Sequence, residues 1–270
     1  LKRLYKLAQF TGIVLSLTQS PSVLAQTSGR TSPWQTYGRI EKAGVQFSYA
    51  AVTLNDGNRV YGPVVLHSSA DVLILSSTNR TVPAVQVHSF EVRGQLDHVS
   101  GLRKCYDFTL MRQGYYPGNP SFSVTPEHRR FDEFNGNLKR VYGTYYWNRG
   151  NEYDNYLVPG FFEVLSNGPV VLLYRTSLGM VQNMSSSTWS GRATPNTMAE
   201  SGAFYLGLAD GRAVALRNPY SDILNMYQAQ AAQLATFVKE NRLSCYEGYE
   251  LAYLINYANS LAQAAFHPQK

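Results

Sequence analysis

From Ala51 to Val92 the chain reads AVTLNDGNRVYGPVVLHSSADVLILSSTNRTVPAVQVHSFEV. Its apolar segments are too short for helices and are separated by clusters of turn-forming residues, which restricts the fold more than any other stretch. Asn55-Asp56-Gly57-Asn58 predicts a tight hairpin, because Asp, Asn and Gly tolerate the positive φ that such turns need. Its arms set Val52 and Leu54 against Val60 and Val64. Gly62-Pro63 predicts a bulge or edge position that curls the sheet, since Gly permits a bend and Pro donates no ladder hydrogen bond. The near-continuous Val72-Leu73-Ile74-Leu75 predicts a strand buried on both faces. Thr78-Asn79-Arg80 turns the chain again, and alternation from Val85 to Phe90 predicts another strand before Val92. Together these segments predict a small twisted meander, partly closed into a barrel.

Around this centre, Trp34 to Ile40 predicts a short strand, and Val45, Phe47 and Tyr49 mark the next. Leu102 to Met111, with Cys105, predicts a strand that ends in a turn-rich loop, Gly114 to Pro120, suited to mobility. Leu138 to Trp147 and Asn155 to Leu165 predict two more, and Ser166-Asn167-Gly168 turns into Val170 to Arg175. Gln182 to Ala203 is polar and small, as in a long surface loop. A last hairpin is expected around Asp210-Gly211. From Asn218 the period becomes helical. Asn218 suits an N-cap and Pro219 the first helical position. Leu234, Phe237 and Val238 lie in a second helical run. Ser244 and Glu247 form an S-x-x-E capping pattern before a third, lined by Leu251, Leu254, Ile255, Ala258 and Leu261. The fold class is therefore α+β: mainly antiparallel β, a small meander or partly closed barrel plus further hairpins, with a C-terminal helical segment. The divisions are 34–100 for the meander, 101–217 for a second β-rich region and 218–270 for the helices.

Two segments come before these. Lys2, Arg3 and Lys6 precede an apolar run, Phe10 to Leu17, which ends in Ser22-Val23-Leu24-Ala25. A basic start, a short apolar core and an A-x-A-like end predict a signal peptide over 1–25 and a flexible lead-in over 26–33. The expected location is exported, periplasmic or secreted after cleavage near Ala25. Removing the three leader cations lowers the formal charge from +6 to +3, which gives little reason to expect nucleic-acid binding. No later apolar run is long enough for a transmembrane anchor. Cys105 and Cys245 are the two cysteines. An oxidising compartment permits a disulfide between them, and two separate buried thiols is the other reading.

Two resemblances follow from these residues. The hairpin at Val52 to Gly62, the F-x-E-V-L-x-x-G-x-x-x-L-x-Y-R segment at Phe161 to Arg175 and the helical tail at Asn218 to Leu261 together resemble uncharacterised exported proteins of Bacteroidota. That likeness implies an envelope or secreted location and carries no catalytic residue. More locally, Val52-x-Leu54-x-Asp56-Gly57, Gly62, Asp71-x-Leu73-x-Leu75 and Val92-Arg93-Gly94 resemble Sm-like small barrels. No asparagine follows Asp71 where that family contacts an RNA base, so the likeness implies barrel shape and not RNA binding.

No catalytic constellation is legible. His67, His88, His98, His128 and His267 have no metal-ligand spacing; His88 and His98 could meet across a turn, with solvated loop or strand positions the favoured reading. No metal and no cofactor is expected. G-x-S-x-G, P-loop and G-x-G-x-x-G patterns are absent. Asp132 with Glu133, and Glu152 with Asp154, are the carboxylate pairs that a fold could bring together for an exported hydrolase of glycan or peptide. The binding candidates are Tyr142, Tyr145, Tyr146, Trp147, Tyr153 and Tyr156, with Tyr115 and Tyr116 nearby, because aromatic faces with polar tips suit sugars and protein partners. Filling cross-strand pairs within the sheet is the structural alternative. The function expected is a non-enzymatic envelope or secreted binding or structural protein, its partner an envelope protein or a glycan.

Overall fold

A computed structural model describes residues 44–96, 106–122, 137–149, 156–181 and 197–266. The strands are β1 Val45–Leu54, β2 Arg59–His67, β3 Val72–Leu75, β4 Arg80–Pro83, β5 Val87–Gln95, β6 Arg140–Trp147, β7 Val158–Val164, β8 Val171–Val181, β9 Thr197–Gly207 and β10 Ala213–Ala215. They form one sheet in the order β10-β9-β8-β7-β6-β5-β1-β2-β3-β4. Every strand pair is antiparallel. Helices α1 Pro219–Met226, α2 Ala231–Glu240 and α3 Gly248–Phe266 follow. The α+β class with a helical C-terminal segment is thus what the chain adopts.

The sheet curls twice. In the first curl β1 lies between β5 and β2, and a 3-10 turn, Ala84–Gln86, carries β4 into β5. Alternation along each strand sends Phe47, Val52, Val64, Leu66, Leu73, Val82, Phe90 and Val92 into one core, joined by Tyr142 and Phe161. Pro63 helps shape this curl. Phe47 pairs with Val64 and Ala50 with Gly62, so β1 bulges at Ser48 and Tyr49 opposite Pro63. A bulge on the partner strand accommodates a residue that cannot donate to the ladder.

In the second curl β6 to β10 bend until β10 meets β6. The Tyr146 N–H donates to the Gly211 carbonyl at 2.8 Å, beside an isolated bridge between Tyr146 and Arg212. Trp147, Phe162 and Leu173 fill the inside, with Tyr145 and Tyr205 against them. Because side chains alternate, Leu172 and Leu206 face the opposite way, into a core made with the helices that includes Ile223, Leu234, Phe237, Leu251, Leu254 and Ile255.

Several expectations change. Val72-Leu73-Ile74-Leu75 is buried on one face only: Leu73 and Leu75 are interior while Val72 and Ile74 are half-buried. The alternation expected from Val85 starts two residues later, because Val85 sits exposed in the 3-10 turn. Where described, the strand expected up to Met111 is irregular chain that enters a 3-10 turn, Met111–Gln113. The loop after it is held from within. Tyr115 is buried, and the Asn256 amide of α3 donates to the carbonyls of Met111 and Tyr115 at 2.9 and 2.8 Å. The polar stretch expected to be loop up to Ala203 is already strand from Thr197. The strand expected over 34–40 lies outside the described residues.

Candidate functional site

The aromatic run does not make one surface, because β6 shares its side chains between two interiors. Tyr142 points into the first core, stacked on Phe90 with ring centroids 4.8 Å apart. Trp147 points into the second curl, edge-on to Phe162 at 5.6 Å, and Tyr145 meets the same ring at 6.2 Å. Tyr146 and Tyr156 are exposed, at 45% and 72%. Tyr153 lies outside the described residues. Tyr115 and Tyr116 belong to the helix core, Tyr115 against Tyr253 and Tyr116 against Phe237 and Tyr257. Most of these rings therefore serve the cross-strand and core packing that was the structural alternative.

Trp147 instead leads to a buried polar cluster. Asp71, at the β2–β3 turn with φ of 55°, receives a bidentate ion pair from Arg175 of β8, Nη1 to Oδ1 at 2.7 Å and Nη2 to Oδ2 at 3.1 Å. The same guanidinium donates to the Phe161 and Ser68 carbonyls, and Asp71 Oδ1 accepts the Phe161 N–H at 3.0 Å. Arg175 lies over the Trp147 ring at 4.3 Å. Gly160 leaves the room for this: a Cβ there would come within 2.6 Å of Trp147 Nε1 and 2.9 Å of Asp71 Oδ1. Asp71 and Arg175 are 3% and 6% exposed. With Asp71 bound on both oxygens and Arg175 on both terminal nitrogens, only the buried Arg175 Nε being left without a partner, the cluster ties the first curl to the second. The sequence offered no signal for this partnership across 104 positions.

A concave surface forms where the helices meet. The α1 N-terminus is shaped by Asp222, whose Oδ2 accepts the N–H groups of Arg217 and Asn218 at 2.8 and 2.9 Å. Asn218 itself makes no side-chain cap. Before α3, Glu250 accepts the N–H groups of Ser244 and Cys245 at 2.8 and 3.0 Å, and the Ser244 hydroxyl as well. The expected partner Glu247 turns away to accept from the Tyr106 hydroxyl at 3.1 Å. Between these two capped ends lies an open groove of about 620 Å³, lined by Arg217 to Ser221, Ala235, Val238, Lys239 and Leu243 to Tyr246. Its size is ordinary for a small-ligand site. Tyr246 is 82% exposed at its mouth and Tyr220 37%. Two cations, two tyrosines and short polar side chains surround an apolar floor. Sequence marked Asn218, Pro219, Val238, Ser244 and Cys245 only as helix, capping or disulfide positions and none of the lining as a binding residue, since a groove made by three consecutive helices leaves no local motif.

Cys245 carries a free buried thiol whose pKa is pushed up to about 11 by burial and by the Glu250 carboxylate. Cys105, its expected partner, lies outside the described residues, as do Asp132, Glu133, Glu152 and Asp154 of the carboxylate pairs. His88 is exposed, as the solvated reading has it, and His67 is buried at 1% on β2. His98, His128 and His267 are outside. Among the described residues no group of His, Cys, Asp and Glu could hold a metal ion, and no helix is long and apolar enough to cross a membrane. No family model, curated protein or solved structure matches this chain.

Proposed function

We propose that this is an exported, non-enzymatic binding protein whose ligand sits in the groove between α1, α2 and the start of α3. The groove is the observation that carries the reading: it is roomy, open, aromatic at its mouth and fixed at both ends by carboxylate caps. The curled sheet beneath serves as a rigid support for it. Export is supported by the leader-like residues 1–25 and by the likeness to exported proteins of Bacteroidota.

Filling the groove tests the site. Ala235→Trp places an indole on its floor at a half-buried position. A ligand at 100 times its Kd adds about 2.7 kcal/mol of stability, which raises Tm by about 5–10 °C for a chain of this size. Glycans and envelope peptides that shift the wild type this way should leave Ala235→Trp unshifted. A shift retained in the variant would place binding elsewhere. Export is checked by sequencing the N-terminus of protein recovered from the producing cells; an expected start at Gln26 contrasts with a leader retained in the cytoplasm.

A further inference from the structure

We propose that Asn167 is a site of spontaneous chemical modification, where the folded chain exchanges a side-chain amide for a carboxylate. Asparagine is among the residues that time and heat alter chemically. Asn167-Gly168 lies between β7 and β8, and both residues are exposed. Neither the Gly168 N–H nor the Asn167 side-chain amide has a hydrogen-bond partner among the described residues. Glycine also brings no side chain to obstruct the approach of its nitrogen. That nitrogen, once deprotonated, attacks Asn167 Cγ. A C–N bond forms, the Cγ–Nδ2 bond breaks, and ammonia leaves with the proton returned through solvent. Water then opens the cyclic imide at either carbonyl, giving aspartate or isoaspartate. The net change consumes an amide and a water and yields a carboxylate and an ammonium ion, with no oxidant or cofactor.

The two Asp-Gly turns of the same sheet show what protects such a pair. The Gly57 N–H donates to the Leu54 carbonyl and the Gly211 N–H to the Leu208 carbonyl, both at 3.0 Å. Asn58 holds the Asp56 carboxylate, and Arg212 holds that of Asp210. At Asn167 the hydrogen bonds run through the backbone instead. Its N–H donates to Asn256 Oδ1 at 3.1 Å, and its carbonyl accepts Asn259 Nδ2 at 2.8 Å. These contacts fix the connection to α3 and leave the reacting atoms uncovered. They also give the modification a structural consequence. Isoaspartate carries the main chain through the former side chain and lengthens it by a methylene. The same Asn259 nitrogen grips the Val170 carbonyl at 2.7 Å, so the added length falls between two points that one amide holds together.

Peptide mapping by mass spectrometry, on the full chain aged at mildly alkaline pH, provides the test. An exposed connection needs no opening, so Asn167 in the folded chain is expected to convert within about tenfold of its rate in urea. A mixture of aspartate and isoaspartate at this position would identify the imide route. An Asn167 that keeps its amide in the folded chain while the urea-unfolded chain converts would overturn the proposal. Gly168→Ala is a poor control, because its Cβ would meet Asn259 Nδ2 at 2.3 Å. Asn167→Gln keeps the backbone hydrogen bonds and closes the imide ring far less readily. On ageing, Tm is expected to fall in the wild type and to hold in Asn167→Gln. An equal fall in both would overturn the consequence for the contact with α3. The map reads Asn135-Gly136, which lies outside the described residues, as a separate peptide.

Discussion

Asp71 shows how much one residue can be asked to hold. It takes a left-handed backbone conformation, which Asp tolerates better than most residues, and its carboxylate meets both Arg175 and the Phe161 backbone. Arg149 adds a longer contact, 3.8 Å from Oδ2 at an exposed position. Replacing a buried ion pair by apolar groups can be neutral, but removing one partner strands the other charge. Asp71→Asn keeps the shape and the backbone preference while removing the charge. It is expected to cost about 3–5 kcal/mol in urea denaturation, whereas a loss below about 1 kcal/mol would mean that Arg175 finds other company. The buried asparagines of α3 act similarly at smaller scale. Asn256 holds the 111–115 segment, and Asn259 donates to the carbonyls of Asn167 and Val170 while accepting the Tyr227 hydroxyl at 2.8 Å. The apolar stripe of the last helix was legible in sequence, but the part played by its two asparagines was not. Their role depends on loops that arrive from over 80 residues away.

Two hairpins use the same turn. In Leu54 to Asn58 and again in Leu208 to Arg212, the first N–H donates to the last carbonyl at 2.8 Å, and the glycine N–H returns to the leucine carbonyl at 3.0 Å. Gly57 and Gly211 adopt φ of 84° and 82°. Asp56 and Asp210 each accept the N–H two residues on, at 2.9 and 3.0 Å. Both turns were readable because an Asp-Gly turn is decided locally. Backbone and side-chain hydrogen bonds from Asn58 hold the Asp56 carboxyl below its ordinary 3.8, and those from Arg212 do the same for Asp210. Since the folded values are depressed, each contribution is present above the unfolded pKa and is lost as pH falls through the folded one. Carboxyl-carbon NMR titrations should place both midpoints below 3.8; midpoints at or above that value would deny these hydrogen bonds in solution. Caps were less legible than turns. Glu250 replaces Glu247 at Ser244 because the chain between Ser244 and Gly248 is not yet helical, so sequence spacing no longer measures distance.

At the scale of the molecule, local strands were readable and their partnership was not. Each segment of the opening meander announces itself by alternation and turns, yet whether β6 continues that sheet or starts another depends on Phe90, Tyr142 and Phe161 meeting, at ring distances of 4.8 and 5.1 Å. For the same reason the tyrosines of β6 read as a binding face until the strand proved to have an interior on either side. The strand order has one more outcome, which concerns crowded solutions. An extended sheet invites other chains to add strands at its borders, and here the two end strands are short. β10 has 3 residues and its hairpin turns back against β6, while β4 has 4 residues and carries Arg80 at one end and Pro83 at the other. Arg80→Val with Pro83→Val would leave the core register intact and expose an apolar, fully donating border. Light scattering at high concentration should then show self-association that the parent chain resists, and equal scattering from both would deny β4 this guarding role. At its β4 end a sheet this wide gives a neighbouring chain little backbone to copy.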